Sequence, residues 1–141
     1  MNRKDQYKRK FNFIIEKITS LPEKFKENDY HMDALFYRLQ ISIDASMDVV
    51  AMLCKDLGIT VKDDYTNIDE LEKINIFSTN ITKDLRRWNG LRNVLAHKYN
   101  KIDEGFVLKE KDNVVKTLIN FVKEAEVIMN EKLNFSEQNQ E

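Results

Sequence analysis

The sequence predicts an all-α fold, a helical bundle of four long helices and a short one. Three observations carry this expectation. Only three glycines and one proline interrupt 141 residues, so little breaks long helices. The chain is rich in Lys, Glu, Leu and Ile, residues that favour helices over many short strands. Its apolar residues recur at steps of three and four, most regularly between His31 and Leu57. The length suits one domain with its own core, placed at 1–133, with a polar tail at 134–141 expected to be disordered.

The first helix is predicted from about Lys8 to Phe25, on the stripe Phe11, Ile14, Ile15, Ile18, Leu21 and Phe25. Pro22 is expected to stop or kink it. The second helix carries Met32, Phe36, Leu39, Ile43, Met47, Val50, Cys54 and Leu57 on one side, which marks it as central. Gly58 follows where helices end. A polar loop over 58–68 leads to a short helix around Asp69 to Ile76, with Asn67 and Glu70 at capping-box spacing. Ser78 or Thr79 would cap a fourth helix from about Asn80 to Tyr99. After a loop at Asn100 to Gly105, the stripe Val115, Leu118, Val122, Ala125 and Met129 predicts a last helix from about Phe106 to Leu133.

A formal net charge of -1 gives no global sign of nucleic-acid binding. Locally, Lys83, Arg86, Arg87, Arg92, Lys98 and Lys101 face only Asp84 in the same stretch. That excess is either an RNA-attracting surface or a solvated helix face. The single cysteine, Cys54, has no internal partner, which suits a reducing compartment. Met1 to Lys10 is polar and basic with no apolar segment behind it, and no apolar run reaches membrane-span length. A soluble, cytoplasmic protein is expected, with no membrane association.

The chemistry concentrates in Gly90-Leu91-Arg92-Asn93-Val94-Leu95-Ala96-His97-Lys98-Tyr99. An arginine holds phosphate, and a histidine moves protons near neutral pH. On a helical wheel, Ile81, Leu85, Trp88, Leu91, Val94, Leu95 and Tyr99 form one apolar arc, with Arg92 inside its edge. Asn89, Asn93 and His97 continue round it as a polar band. An arginine at a core-facing edge needs a buried partner. Arg92 and His97 lie about 140° apart, so one straight helix does not converge them. A second copy related by a two-fold axis would complete a cleft.

The string Arg92-Asn93-x3-His97-x-Tyr99, followed by Ile102-Asp103, resembles the signature of HEPN domains of the HepT-like toxin branch. Tyr37 to Asp44 and the following Asp48 look like that branch's long second helix, and the likeness runs from about Tyr30 to Met129. The resemblance implies a HEPN-like homodimer acting as a metal-independent endoribonuclease without a cofactor. It implies that Arg92 binds the scissile phosphate, that His97 serves as general base or acid, and that Asn93 orients His97 or a phosphate oxygen. It further implies an MNT-type nucleotidyltransferase antitoxin as partner, which adenylylates Tyr99. Read from the residues alone, Tyr99 packs on the apolar arc with its hydroxyl at the rim.

The other candidates carry less. Gln40, Asp44 and Asp48 lie one turn apart on the second helix, as a polar face or as partners for a buried arginine rather than a metal site. Asp48 facing the fourth helix would pair with Arg92 or Arg87. His31 stands alone before the second helix. Two histidines and one cysteine do not make a usual structural zinc set. With no glycine-rich phosphate loop, the chain itself is not read as an NTPase or a nucleotidyltransferase. The alternative reading is a non-catalytic helical module that binds a nucleotidyltransferase, with the same motif as its surface.

Overall fold

The computed structural model describes residues 2–21, 29–97, 99–133 and 135; the side chains of Asp29 and Tyr99 fall outside it. Among the described residues the order is α1 (Arg3–Thr19), α2 (Asp29–Asp56), α3 (Asp64–Lys73), α4 (Thr79–His97), a 3-10 turn (Tyr99–Lys101) and α5 (Glu104–Lys132). The all-α bundle of four long helices and a short one is therefore present. Pro22, Phe25 and Lys98 lie outside the described residues.

Several boundaries move for local reasons. Helix α1 begins at Arg3 because the Asn2 side chain accepts the Asp5 N–H at 2.9 Å. Helix α3 begins at Asp64, after Asp63 as its N-cap, rather than near Asp69. Asn67 is not a cap: it is buried within α3, and its amide brackets Lys62, accepting from the backbone N–H at 2.7 Å and donating to the carbonyl at 3.1 Å. Ser78 does serve at the start of α4, where Oγ accepts the Ile81 N–H at 3.4 Å. Gly58 ends α2 in the left-handed region at φ +80, where a side chain would be strained. Asp103 caps α5 through the Phe106 N–H at 3.1 Å. Within the tail, Phe135 packs against the Tyr7 ring, with centroids 5.9 Å apart.

Cross-helix bonds fix the directions. Arg3 and the Tyr7 hydroxyl both donate to Asp56, Lys10 meets Asp48 at 2.8 Å, and Arg38 reaches Ser20, so α1 and α2 are antiparallel. Tyr7 is buried and held beside that carboxylate; both effects push its phenol well above the usual range, so it stays a neutral donor. The pairs Ser78–Glu124, Trp88–Thr117 and Arg87–Glu110 make α4 and α5 antiparallel. Asp69 and Glu72 hold Arg86, and Thr82 donates to Glu72, laying α3 antiparallel along the first half of α4.

The core joins Ile14 and Ile18 of α1, Leu39, Ile43 and Leu53 of α2, Leu85 and Trp88 of α4, and Leu118 and Phe121 of α5. Each such side chain contributes about 1.5–3 kcal/mol on burial. Cys54 is fully buried, and burial pushes its thiol up, which makes it an apolar packing group rather than a nucleophile. Trp88 is 1% exposed, and its Nε1 donates to Thr117 Oγ1 at 3.0 Å. That buried anchor sits one turn before Arg92 and fixes the register of the motif helix.

Candidate active site

Helix α4 turns Arg92 toward α2, as its position at the edge of the apolar arc requires. The partly buried guanidinium donates from Nε to Asp44 and from Nη1 to Asn93 Oδ1, the latter at 2.8 Å. The arginine thus has the partner its placement demanded. That partner is Asp44 and not Asp48, which bridges to Lys10 on α1 instead. Arg87 does not reach Asp48 either; it pairs with Glu110 at 3.2 Å and lies over the Trp88 ring. With Nε and one Nη1 hydrogen engaged, Nη2 and the second Nη1 hydrogen still point at a potential ligand.

Asn93 serves the arginine in this structure. Its Oδ1 is spent on Arg92, and no hydrogen bond joins it to His97 among the described residues. His97 is the last residue of α4 and is exposed. Nothing within the chain brings it against Arg92, in keeping with the angle between their positions on the helix. The backbone of Tyr99 opens the 3-10 turn, while its side chain lies outside the described part.

The basic excess around the motif is smaller in space than in sequence. Arg86 is held by Asp69 and Glu72, Arg87 by Glu110, and Arg92 by Asp44. All three arginines are matched to carboxylates on other helices, so this stretch is not a free cationic face. Acidic groups also gather near the guanidinium. Asp64, in the first turn of α3, has its carboxyl raised above the usual range, first by burial and then by Asp44, Asp48 and Asp63, while Arg92 opposes the rise.

Helix α3 brings a residue that sequence reading missed. Tyr65 is 39% exposed, and its hydroxyl lies against α4 at Gly90, 3.6 Å from where a Cβ would stand. No local signal marks it, because the α3–α4 pairing alone puts it two residues before Arg92. Among the described residues no group of three or more His, Cys, Asp or Glu side chains is placed to hold a metal. No helix there is long and apolar enough to cross a membrane.

A family profile described as ribonuclease HepT-like matches residues 7–125. The chain belongs to the HepT-like ribonuclease family. A curated relative from Archaeoglobus fulgidus, provisionally named an RNase, is 36% identical over 127 residues, covering 90% of this chain and 96% of the relative. Among solved structures, the cytosolic protein YutE of Bacillus subtilis aligns with a TM-score of 0.84 at 13% identity, over 94% of each chain. A tri-AMPylated Shewanella oneidensis HEPN toxin, solved in complex with an MNT antitoxin, aligns with a TM-score of 0.76 at 21% identity, over 90% of this chain and 99% of that one. These likenesses establish the HEPN-like helical fold of the family member described here.

Proposed function

We propose that this HepT-like chain is the toxin of a HEPN/MNT pair, a homodimeric endoribonuclease that needs no metal and is restrained by adenylylation of Tyr99. One observation carries the catalytic part: Arg92 is aimed by Asp44 and Asn93 with two faces of donors to spare, and His97 follows on the same helix, exposed to solvent.

The chemistry divides between these two side chains. The ribose 2′-oxygen attacks phosphorus as its proton passes to a base, and the P–O bond to the 5′-oxygen breaks as that oxygen takes up a proton. His97 accepts the first proton or delivers the second. Arg92 donates to the phosphate oxygens and stabilises charge that grows in the phosphorane. The products are a 2′,3′-cyclic phosphate and a 5′-hydroxyl, and a 2′-deoxy strand is inert.

A second copy completes the cleft, because one helix separates the two groups by about 140°. A groove of about 290 Å³ supports this: Gly90, Val94, Ile102 and the half-exposed Phe106 leave apolar surface on the outward flank of α4. An adenylyl group on Tyr99 adds bulk and negative charge beside Arg92, which opposes RNA by occupancy and repulsion. The solved HEPN toxin carrying AMP groups beside an MNT antitoxin supports both the partner and the modification.

The competing reading, a non-catalytic module that only binds a nucleotidyltransferase, draws on Arg92 already having two protein acceptors. Incubating the wild-type chain with RNA and its 2′-deoxy counterpart in excess chelator separates the two. Cyclic-phosphate ends on RNA alone support the nuclease; intact RNA under conditions where the chain still binds a nucleotidyltransferase supports the module.

A further inference from the structure

We propose that Tyr65 is a substrate-binding residue, whose hydroxyl donates a hydrogen bond to the RNA backbone at the phosphate next to the scissile one. This rests on the RNA-cleaving reading above and extends it to a third side chain.

The argument starts from helix geometry. Gly90, Asn93 and His97 stand at steps of three and four on α4 and share one face. The Tyr65 hydroxyl lies on that face at Gly90, so it heads a row of polar groups that continues through Asn93 to His97. Gly90 leaves the space: with no side chain there, the phenol lies close over the helix backbone. The hydroxyl accepts and donates no hydrogen bond among the described residues, although the ring is only 39% exposed. It is an available donor beside a guanidinium.

The neighbouring residue fixes the distance scale. Asp64 interacts electrostatically with both Arg92 and Asp44, so the first turn of α3 borders the arginine directly. Tyr65 lies on the side of Arg92 away from His97, since Gly90 precedes Arg92 and His97 follows it. A chain whose reacting phosphate sits at Arg92 and whose 2′-oxygen faces His97 then presents its adjoining phosphate toward Tyr65. A phenol suits this position. It donates to an anionic oxygen without adding charge to a site already bordered by Asp44 and Asp64.

Tyr65→Phe tests this by removing the donor and keeping the ring. A labelled 2′-O-methyl RNA, which lacks the attacking hydroxyl, reports binding without cleavage. The variant should bind it about tenfold more weakly than wild type, with an unchanged melting temperature. On cleavable RNA its KM should rise by about the same factor, with kcat within about twofold. Tyr30→Phe, a fully solvated tyrosine on α2, should match wild type. Equal binding by Tyr65→Phe and wild type overturns the assignment, as does a fall in melting temperature with KM unchanged. If wild type binds the 2′-O-methyl RNA but cuts no RNA, the nuclease reading fails and the Tyr65 contact is judged on binding alone. If wild type does not bind it, both fall.

Discussion

The carboxylate of Asp44 on α2 holds the Arg92 guanidinium across the helix interface, while Asn93 takes its other edge from the same helix. The pair is partly exposed, at 26% and 34%, so it contributes modestly to stability and chiefly sets where the arginine points. Asp44→Ala should therefore cost about 1 kcal/mol in urea denaturation but lower RNA cleavage by about tenfold or more. Asp44→Asn keeps an acceptor and should fall between. Unaltered cleavage in Asp44→Ala would show that the arginine needs no aiming.

Asn93 offers a separate test of the same arrangement. Its Oδ1 accepts from Arg92, so Asn93→Ala and Asp44→Ala should not add: both act by loosening one guanidinium. The double variant should cleave RNA at close to the rate of the weaker single one. Full additivity in the rate measurements would mean that Asn93 acts on something other than Arg92.

The register of the motif helix depends on Trp88 and Thr117. Thr117→Val leaves the buried indole N–H without an acceptor and should cost about 1–3 kcal/mol. Trp88→Ala removes a core anchor and should cost about 3–5 kcal/mol. Chemical denaturation reads both directly, and the first variant should retain cleavage wherever it remains folded.

Acid stability follows from the carboxylates bonded to arginine. Hydrogen bonds from Arg86 and then Thr82 hold the Glu72 carboxyl below its ordinary value of 4.5. A depressed folded value means the stabilisation is present above 4.5 and disappears as pH falls through the folded value. Glu72→Gln should thus lower the melting temperature at neutral pH, and the gap from wild type should close in acid below that range. A gap that persists unchanged at low pH would contradict the ion pair as its source.

The fold was legible because α2 and α5 are long and strongly periodic, and because the arc on α4 shows which side is buried. That same arc put Arg92 inward and required a partner. The partner's identity was not legible: Asp44 and Asp48 are only about 40° apart on α2, and what separates them is that α1 covers one flank while α4 covers the other. The start of α3 was misread because Asn67 has a capping residue's chemistry but spends it on the Lys62 backbone. The basic stretch misled for a related reason, since the carboxylates that neutralise it come from α2, α3 and α5, far away in sequence. Tyr65 had no local signature at all; only the antiparallel packing of α3 on α4 brings it to Gly90.

The central claim is that Arg92 from one copy and His97 from another act on one phosphodiester. The most direct measurement is RNA cleavage in chelator by Arg92→Ala, by His97→Ala, and by the two variants unfolded, mixed and refolded together. Each variant alone should be inactive, while the mixture should regain about a quarter to a half of wild-type activity through hybrid dimers that keep one intact pair. Cleavage by either single variant, or a mixture as inactive as its parts alongside a wild type that survives the same refolding, would contradict the account.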